Sequence, residues 1–366
     1  MSKIQKMLAV SGVVAATTLG VASATAVADP PHGVRPGHIS IVGTGSDTTQ
    51  LVVDAFSTAY NKTNPAIKMY SFDAVGTATI TEKTGCTPRT RPNGSSAGIA
   101  ELEANLRPAG DTSDHCVDFA RSSRARTAGT DPSSILFIPF AIDAVTWSAD
   151  TFSGSTHATA NLSTVQLNAI YSCDASILNS HLSGPVTWKE VGGTSTHAVI
   201  PVIPQSSSGT RKFFLTEIGV ATPGSCVKGL DDSVEENEGT NAIFKNSTTA
   251  PDIIFPYSVA VYLAQSQGGH GTGTQGKQVL RNVNHVAPTT GTAPHKVINS
   301  TFPYLREVYN VVRNLSNNGG QTVPKFLRPL FGNGSPGTGW ICKSTTAKSL
   351  IQSYGFLPTN RCGSTE

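Results

Sequence analysis

Charge is scarce in this 366-residue sequence: Asp, Glu, Lys and Arg together make up only 14% of it. No run of Lys or Arg occurs, and 27 basic residues stand against 24 acidic ones. The broad positive field of a nucleic-acid binder is therefore missing, and a small charged ligand has to be met by local groups. Metal-ligand spacing is missing as well. Neither C-x-x-C nor H-x-x-x-H occurs, so the cysteines and histidines spell no zinc signature, and neither metal nor cofactor is expected. No repeat of fixed period is visible, which argues against a solenoid or propeller.

The first residues have the layout of an export signal. Lys3 and Lys6 precede an almost uncharged apolar run from Met7 to Val21, and Ala26-Val27-Ala28 supplies small residues before Asp29. Residues 1–28 are expected to be a cleaved signal peptide, because the run is short and rich in Ala, Gly and Thr. A retained signal anchor is the alternative. With no Cys at the cleavage point a lipid anchor has no attachment atom, so a secreted, extracellular protein is expected. Loss of Lys3 and Lys6 leaves a net charge of +1. About 338 residues remain, which suits two lobes better than one core. Six cysteines in an exported chain read as disulfides. The sequence-adjacent pairing Cys86–Cys116, Cys173–Cys226 and Cys342–Cys362 is expected, since each bridge then closes a loop inside one region.

Hydrophobic periodicity marks one recurring unit. His38 to Val42 alternates as a strand and runs into Gly43-Thr44-Gly45-Ser46-Asp47; then Leu51, Val52, Ala55, Phe56 and Tyr60 recur at helical spacing. Asn93-Gly94-Ser95-Ser96-Ala97-Gly98 leads in the same way into a helix carrying Leu102 and Leu106. His197 to Ile203 reads as a buried strand that ends at Ser206-Ser207-Ser208-Gly209-Thr210, before a helix with Phe213, Phe214, Leu215 and Ile218. Ile135 to Trp147 and Ile253 to Ala264 read as extended segments crossing between lobes, and Tyr304 to Leu315 as a further helix. On this reading 144–253 is an inserted second lobe, and 38–143 with 254–366 forms the first.

Three Ser/Thr/Gly turns at helix starts point to an anion. The first N–H groups of a helix have no intrahelical partner, and the backbone dipoles leave partial positive charge there. Glycine and small hydroxyl residues let an oxyanion approach those groups and add hydrogen bonds of their own. Any one such turn is also an ordinary helix cap. Three together, meeting at one cleft, would hold a tetrahedral oxyanion with little side-chain charge.

The order of motifs resembles the phosphate-binding proteins of bacterial ABC phosphate uptake. Gly43 to Thr48 resembles that family's first Gly-rich loop, Gly94 to Gly98 its Gly-Ser-Ser-Gly-Gly turn, and Asp118 to Ser123 its Asp-Phe-Gly-Ala-Ser-Asp segment. Pro139 to Ile142 looks like a crossover strand, Leu162 to Tyr171 with Trp188 is similar to a family hallmark, and Ser208-Gly209-Thr210 is the Ser-Gly-Thr loop. Ser353 to Pro358 looks like the closing Gly-Tyr-Ile-Pro. The resemblance implies an α/β, two-lobed periplasmic-binding-protein type II fold: each lobe a mixed sheet flanked by helices, joined by two crossover strands. It implies a non-enzymatic, monomeric protein whose partners are a small oxyanion and an ABC permease, with no nucleic acid.

The ligand set drawn from the turns and the resemblance is Ser46, Asp47, Thr48, Ser95, Ser96, Arg121, Ser122, Ser123, Ser208, Gly209, Thr210 and Arg211. Three positions depart from the family: its Asp falls on Ser123, its Arg on Pro204, and its first-loop Thr on Asp47. Arg121, Arg124 or Arg211 would replace the lost guanidinium, with Arg121 favoured, and Asp47 would accept the ligand's proton. An unpaired Asp47 would instead suit a ligand with N–H or hydroxyl donors, so a binding module for another polar solute or a cell-surface partner is the rival reading. Gly94-Ser95-Ser96-Ala97-Gly98 also fits the G-x-S-x-G elbow of a serine hydrolase, with Ser96 as nucleophile, but Thr87 to Pro92 is a poor strand to precede it.

Overall fold

The computed structural model describes residues 29, 30, 34–316 and 319–366, so the expected signal peptide lies outside the described residues. β1 (Ile41–Gly45) leads to α1 (Gln50–Asn61), β2 (Met69–Ser71), α2 (Ser95–Ala104) and β3 (Phe119–Ser122). The 16-residue β4 (Ile135–Asp150) follows, then α3 (Thr164–Ser172), β5 (Ile200–Pro201) and α4 (Gly209–Glu217). The remainder supplies β6 (Ile253–Ser258), α5 (Val259–Ser266), β7 (Gln278–Leu280), β8 (Leu305–Arg313), α6 (Thr345–Ser353) and β9 (Leu357–Pro358), with shorter pieces between.

Nine strands join in the order β2-β1-β3-β8-β4-β6-β5, and β7 and β9 also pair with β4. β1 runs parallel to β2 and β3, whereas β8 runs antiparallel to β3 and β4. β4 organises the molecule. All of its residues except Ile142 are buried, which is why its sequence is a nearly continuous apolar run without alternation. Ile135 to Ala144 lies beside β8 and Val145 to Ala149 beside β6, so one strand passes from one set of neighbours to another at Ala144. Just before that point Val308 faces Ala141 and Tyr309 faces Pro139. The extra residue, Phe140, makes a bulge, the kind of place where a strand tolerates a proline that cannot donate to the ladder.

The helices follow their apolar spacing. Val52, Val53, Phe56 and Tyr60 are the buried stripe of α1, and Ser163 and Gln166 close a reciprocal capping box at the start of α3. The three disulfides pair as expected, with Cα–Cα distances of 5.9, 5.8 and 5.6 Å. Closing sequence separations of 30, 53 and 20 residues, each restrains the unfolded chain by about 3–4 kcal/mol. Among the described residues no helix is long and apolar enough to cross a membrane.

Three expectations need correction. Residues 304–315 form no helix: β8 occupies Leu305–Arg313, between β3 and β4. Val308, Val311 and Val312 mimic helical spacing because a central strand buries both faces and loses its alternation; the Val and Tyr content was the strand signal. Ile253 to Ala264 is extended only to Ser258, whose hydroxyl accepts from Val261 N at 3.2 Å and caps α5. The strand read at His197 to Ile203 shrinks to Ile200–Pro201, where proline on the outermost strand limits the ladder.

Candidate binding site

Missing side chains bring three helix starts together. Gly45 ends β1 at φ +120°, and a Cβ there would lie 2.7 Å from the Arg121 carbonyl oxygen, so only glycine lets the first loop press against β3. Gly209, the first residue of α4, sits where a Cβ would come within 2.3 Å of Ser95 Oγ and 2.4 Å of Ser123 Oγ. The start of α4 therefore meets the start of α2 and the end of β3 at van der Waals distance.

Hydroxyls fill the junction. Ser46 Oγ donates to Ser123 Oγ at 3.1 Å, Ser95 Oγ lies 3.3 Å from Ser123 Oγ, and Ser123 N donates to Ser95 Oγ at 3.0 Å. Beside them Thr48 Oγ1 and Thr210 Oγ1 are 3.1 Å apart. Ser46, Thr48, Ser95, Ser123, Ser208 and Thr210 are each at most 3% exposed. Part of the expected set, Ser46, Thr48, Ser95, Ser123, Gly209 and Thr210, thus comes together from three separate turns.

Among the described residues the guanidinium that bonds one of these hydroxyls belongs to Arg306 on β8. Its Nη2 donates to Thr210 Oγ1 at 2.9 Å, and Nη2 and Nε donate to Asp143 Oδ2 at 2.8 and 3.1 Å. Its Nη1 is buried and meets no acceptor among the described residues. Asp143, fully buried on β4, also accepts from Ser258 Oγ at 2.9 Å and from Ala260 N at 3.0 Å, in the first turn of α5. Asp143 therefore balances the Arg306 charge while the helix dipole favours the carboxylate.

Other expected residues face elsewhere. Arg121 is wholly buried, but its donors go to the carbonyls of Gly45, Ser46 and Phe72 and to Ser71 Oγ, behind the first loop. Arg211 Nη1 donates to the Pro204 carbonyl at 3.0 Å, and Arg124 holds Asp131 through two nitrogens at 2.6 and 2.8 Å. Ser122 Oγ donates to the Arg124 carbonyl in its own loop. Ser96 N donates to the Ser207 carbonyl at 3.1 Å, and Ser96 Oγ accepts from Arg124 Nε at 3.3 Å, so a guanidinium and not an imidazole faces the candidate nucleophile. Asp47 accepts from Asn237 Nδ2 at 2.9 Å. Burial first, and the Glu236 carboxylate second, push its pKa well above the usual carboxylate range.

Sequence reasoning missed Arg306, Asp143, Glu236 and Asn237. Glu236 is 1% exposed, and its Oε1 accepts from Thr48 N and Thr48 Oγ1, each at 3.1 Å. Its Oε2 accepts from Ser208 Oγ. Arg306 lay in the misread helix, and Glu236 in an acidic stretch of ordinary surface composition; neither carries a local signal.

A cavity of about 930 Å³ adjoins the group through Asp47, Thr48 and Asn237. Leu51, Val75 and Val261 are among its apolar wall residues; Asp29, Asp47, Asp73 and Glu238 are acidic ones, and among the described residues no Lys or Arg lines it. Asp29 is paired there with Arg91 at 2.6 Å.

Residues 20–327 match the family model described as the PBP superfamily domain. The chain belongs to the PBP superfamily. Among solved structures it is similar to an ABC-type phosphate transport receptor from Vibrio cholerae, at 17% identity and a TM-score of 0.54, over 87% of this chain and 100% of that one. It is likewise similar to a substrate-binding protein assigned to a phosphate ABC transporter of Clostridium perfringens, solved with bound phosphate. There the identity is 15% and the TM-score 0.53, over 87% of this chain and 99% of that one. At these identities the likeness shows a shared fold. No protein of curated function matches the sequence.

Proposed function

We propose that this superfamily member is an exported solute-binding protein that closes around a small oxyanion, phosphate first, for ABC-type uptake or scavenging. One observation carries the reading: hydroxyls from the starts of α1, α2 and α4 meet beside Arg306, whose buried Nη1 has no acceptor among the described residues. A buried dianion needs nearly every oxygen lone pair satisfied, and helix N–H groups, hydroxyls and a guanidinium supply donors from several directions. Phosphate comes first because both similar solved proteins are described as phosphate transporter components.

The lobes are 38–143 with 254–366, and 144–253, and the hinge lies near Phe140 to Ala144 and Ile254 to Tyr257. A ligand held from both sides stabilises the closed arrangement, because only there do both lobes contribute bonds. The protein acts as a monomer, catalyses no covalent step, and hands its ligand to an ABC permease when one is present. Isothermal titration of the purified chain with phosphate, sulfate and arsenate tests the reading. Saturable phosphate heat and a melting temperature that rises with log phosphate concentration are expected; no heat with any of the three removes it.

A second reading has its own support in the acidic, partly apolar cavity beside Asp47, which suits a solute bearing ammonium or N–H donors. An alkyl diamine that raises the melting temperature when phosphate does not would favour it.

A further inference from the structure

The direction of the hydrogen bonds at the junction can be read from donor capacity. A threonine hydroxyl carries one proton. Thr48 Oγ1 donates it to Glu236 Oε1, so the 3.1 Å contact between Thr48 and Thr210 runs from the Thr210 hydroxyl to Thr48 Oγ1. Thr210 Oγ1 in turn accepts from Arg306 Nη2. The bonds form one ordered chain from guanidinium through Thr210 and Thr48 to the carboxylate of Glu236, and such chains strengthen one another in a buried setting. Ser208 and the Thr48 amide complete the set on that carboxylate.

Glu236 is placed there by its own segment. Its backbone N donates to Gln205 Oε1 at 2.9 Å, and Gln205 Nε2 donates to Asn93 Oδ1 at 2.8 Å. The next residue, Asn237, takes the left-handed conformation at φ +58°. Its Oδ1 accepts from Ser258 N at 3.1 Å, and its carbonyl from Gln265 Nε2 at 3.0 Å. Both sides of the carboxylate are thus anchored, one to the α4 loop and one to α5.

We propose that Glu236 is a resident internal ligand of the oxyanion site: its carboxylate satisfies the Thr48 and Ser208 donors, and an incoming oxyanion binds only by displacing it. This rests on the oxyanion reading above and names the residue that sets affinity there. A carboxylate offers two acceptor oxygens where a tetrahedral oxyanion offers four, so it can satisfy the Thr48 and Ser208 donors but leaves Arg306 Nη1 unmet. Capture is then an exchange of one anion for another, with the bonds lost by Glu236 offsetting part of those gained by the ligand.

Titration of Glu236→Ala with inorganic phosphate tests this, with Glu236→Gln as an isosteric variant that guards against loss of folding. Glu235→Gln removes a neighbouring charge that bonds Asn93 and touches neither Thr48 nor Ser208. Phosphate is expected to bind Glu236→Ala about tenfold or more tightly than the wild type, with a smaller gain for Glu236→Gln and little change for Glu235→Gln. Acetate is expected to raise the melting temperature of Glu236→Ala and not of the wild type, since it restores the missing carboxylate. Wild type that binds phosphate at least as tightly as Glu236→Ala overturns the inference and leaves the oxyanion reading standing, as does an equal gain in Glu235→Gln. Acetate rescue without phosphate binding in either protein sinks the phosphate reading and keeps the assignment of the carboxylate. Neither phosphate nor acetate on Glu236→Ala overturns both.

Discussion

Two buried guanidinium groups stand on opposite sides of the first loop and do opposite work. Arg121 lies behind it, with donors on three backbone carbonyls and a serine, among the carboxyls of Asp54, Asp73 and Asp47. Arg306 lies in front, stacked over Phe213 at 5.5 Å, paired with Asp143, and bonded to a hydroxyl of the opposing α4. The first holds the loop in shape. The second keeps one buried nitrogen, Nη1, without an acceptor among the described residues. An arginine beside a binding motif is thus no evidence of ligation until the destination of each N–H is known.

The two arginines should separate stability from affinity when each is replaced. Arg121→Ala leaves buried carbonyls without their donor and nearby carboxyls without a neighbouring positive charge, and about 3–5 kcal/mol of folding stability should be lost in denaturant titrations. Phosphate affinity of the fraction that remains folded should change little; a stable variant that has lost binding would put Arg121 in the site after all. Arg306→Lys keeps a charge near Asp143 but loses the planar fork, so roughly ten- to hundredfold weaker phosphate binding is expected by calorimetry. Unchanged affinity would end the contrast.

Thr210→Val removes the hydroxyl that Arg306 bonds, and Ser95→Ala removes one at the junction with Gly209. Each should weaken binding by roughly 1–3 kcal/mol, and full affinity in both would move the site elsewhere. The smallest effect belongs to neither region. Asp150 ends β4, and burial pushes its carboxyl up to about 6. The folded protein then keeps a proton that the unfolded chain releases near pH 4, so this stabilising contribution is present at low pH and is lost as the pH rises to about 6. Asp150→Asn should flatten that part of the stability profile. An unaltered wild-type slope would show that Asp150 does not titrate there.

Much of this architecture was legible along the chain, for reasons that are local. The turns at Ser46, Ser95 and Ser208 each lead into a helix, and β4 declares itself by an apolar run with few turn residues, but Leu106, expected on the face of α2 with Leu102, lies beyond the helix and is exposed. The disulfides join cysteines that neighbour one another along the sequence. β8 misled because a strand buried on both faces has no alternation, leaving Val308, Val311 and Val312 at a spacing that also fits a helix. β6 and α5 blurred together because apolar residues run through the Ser258 cap.

Local pattern by itself determined which segments bend, which are buried, and that three helix starts expose donors to small residues; these depend on neighbours a few positions away. Only the tertiary structure decided which charged groups stand among those donors. Thr48 and Glu236 are 188 positions apart, and Asp143 and Arg306 are 163 apart. The reason is physical: a buried charge is tolerated according to the partners that surround it in space, and the chain brings those partners from strands and loops whose sequences contain no trace of one another.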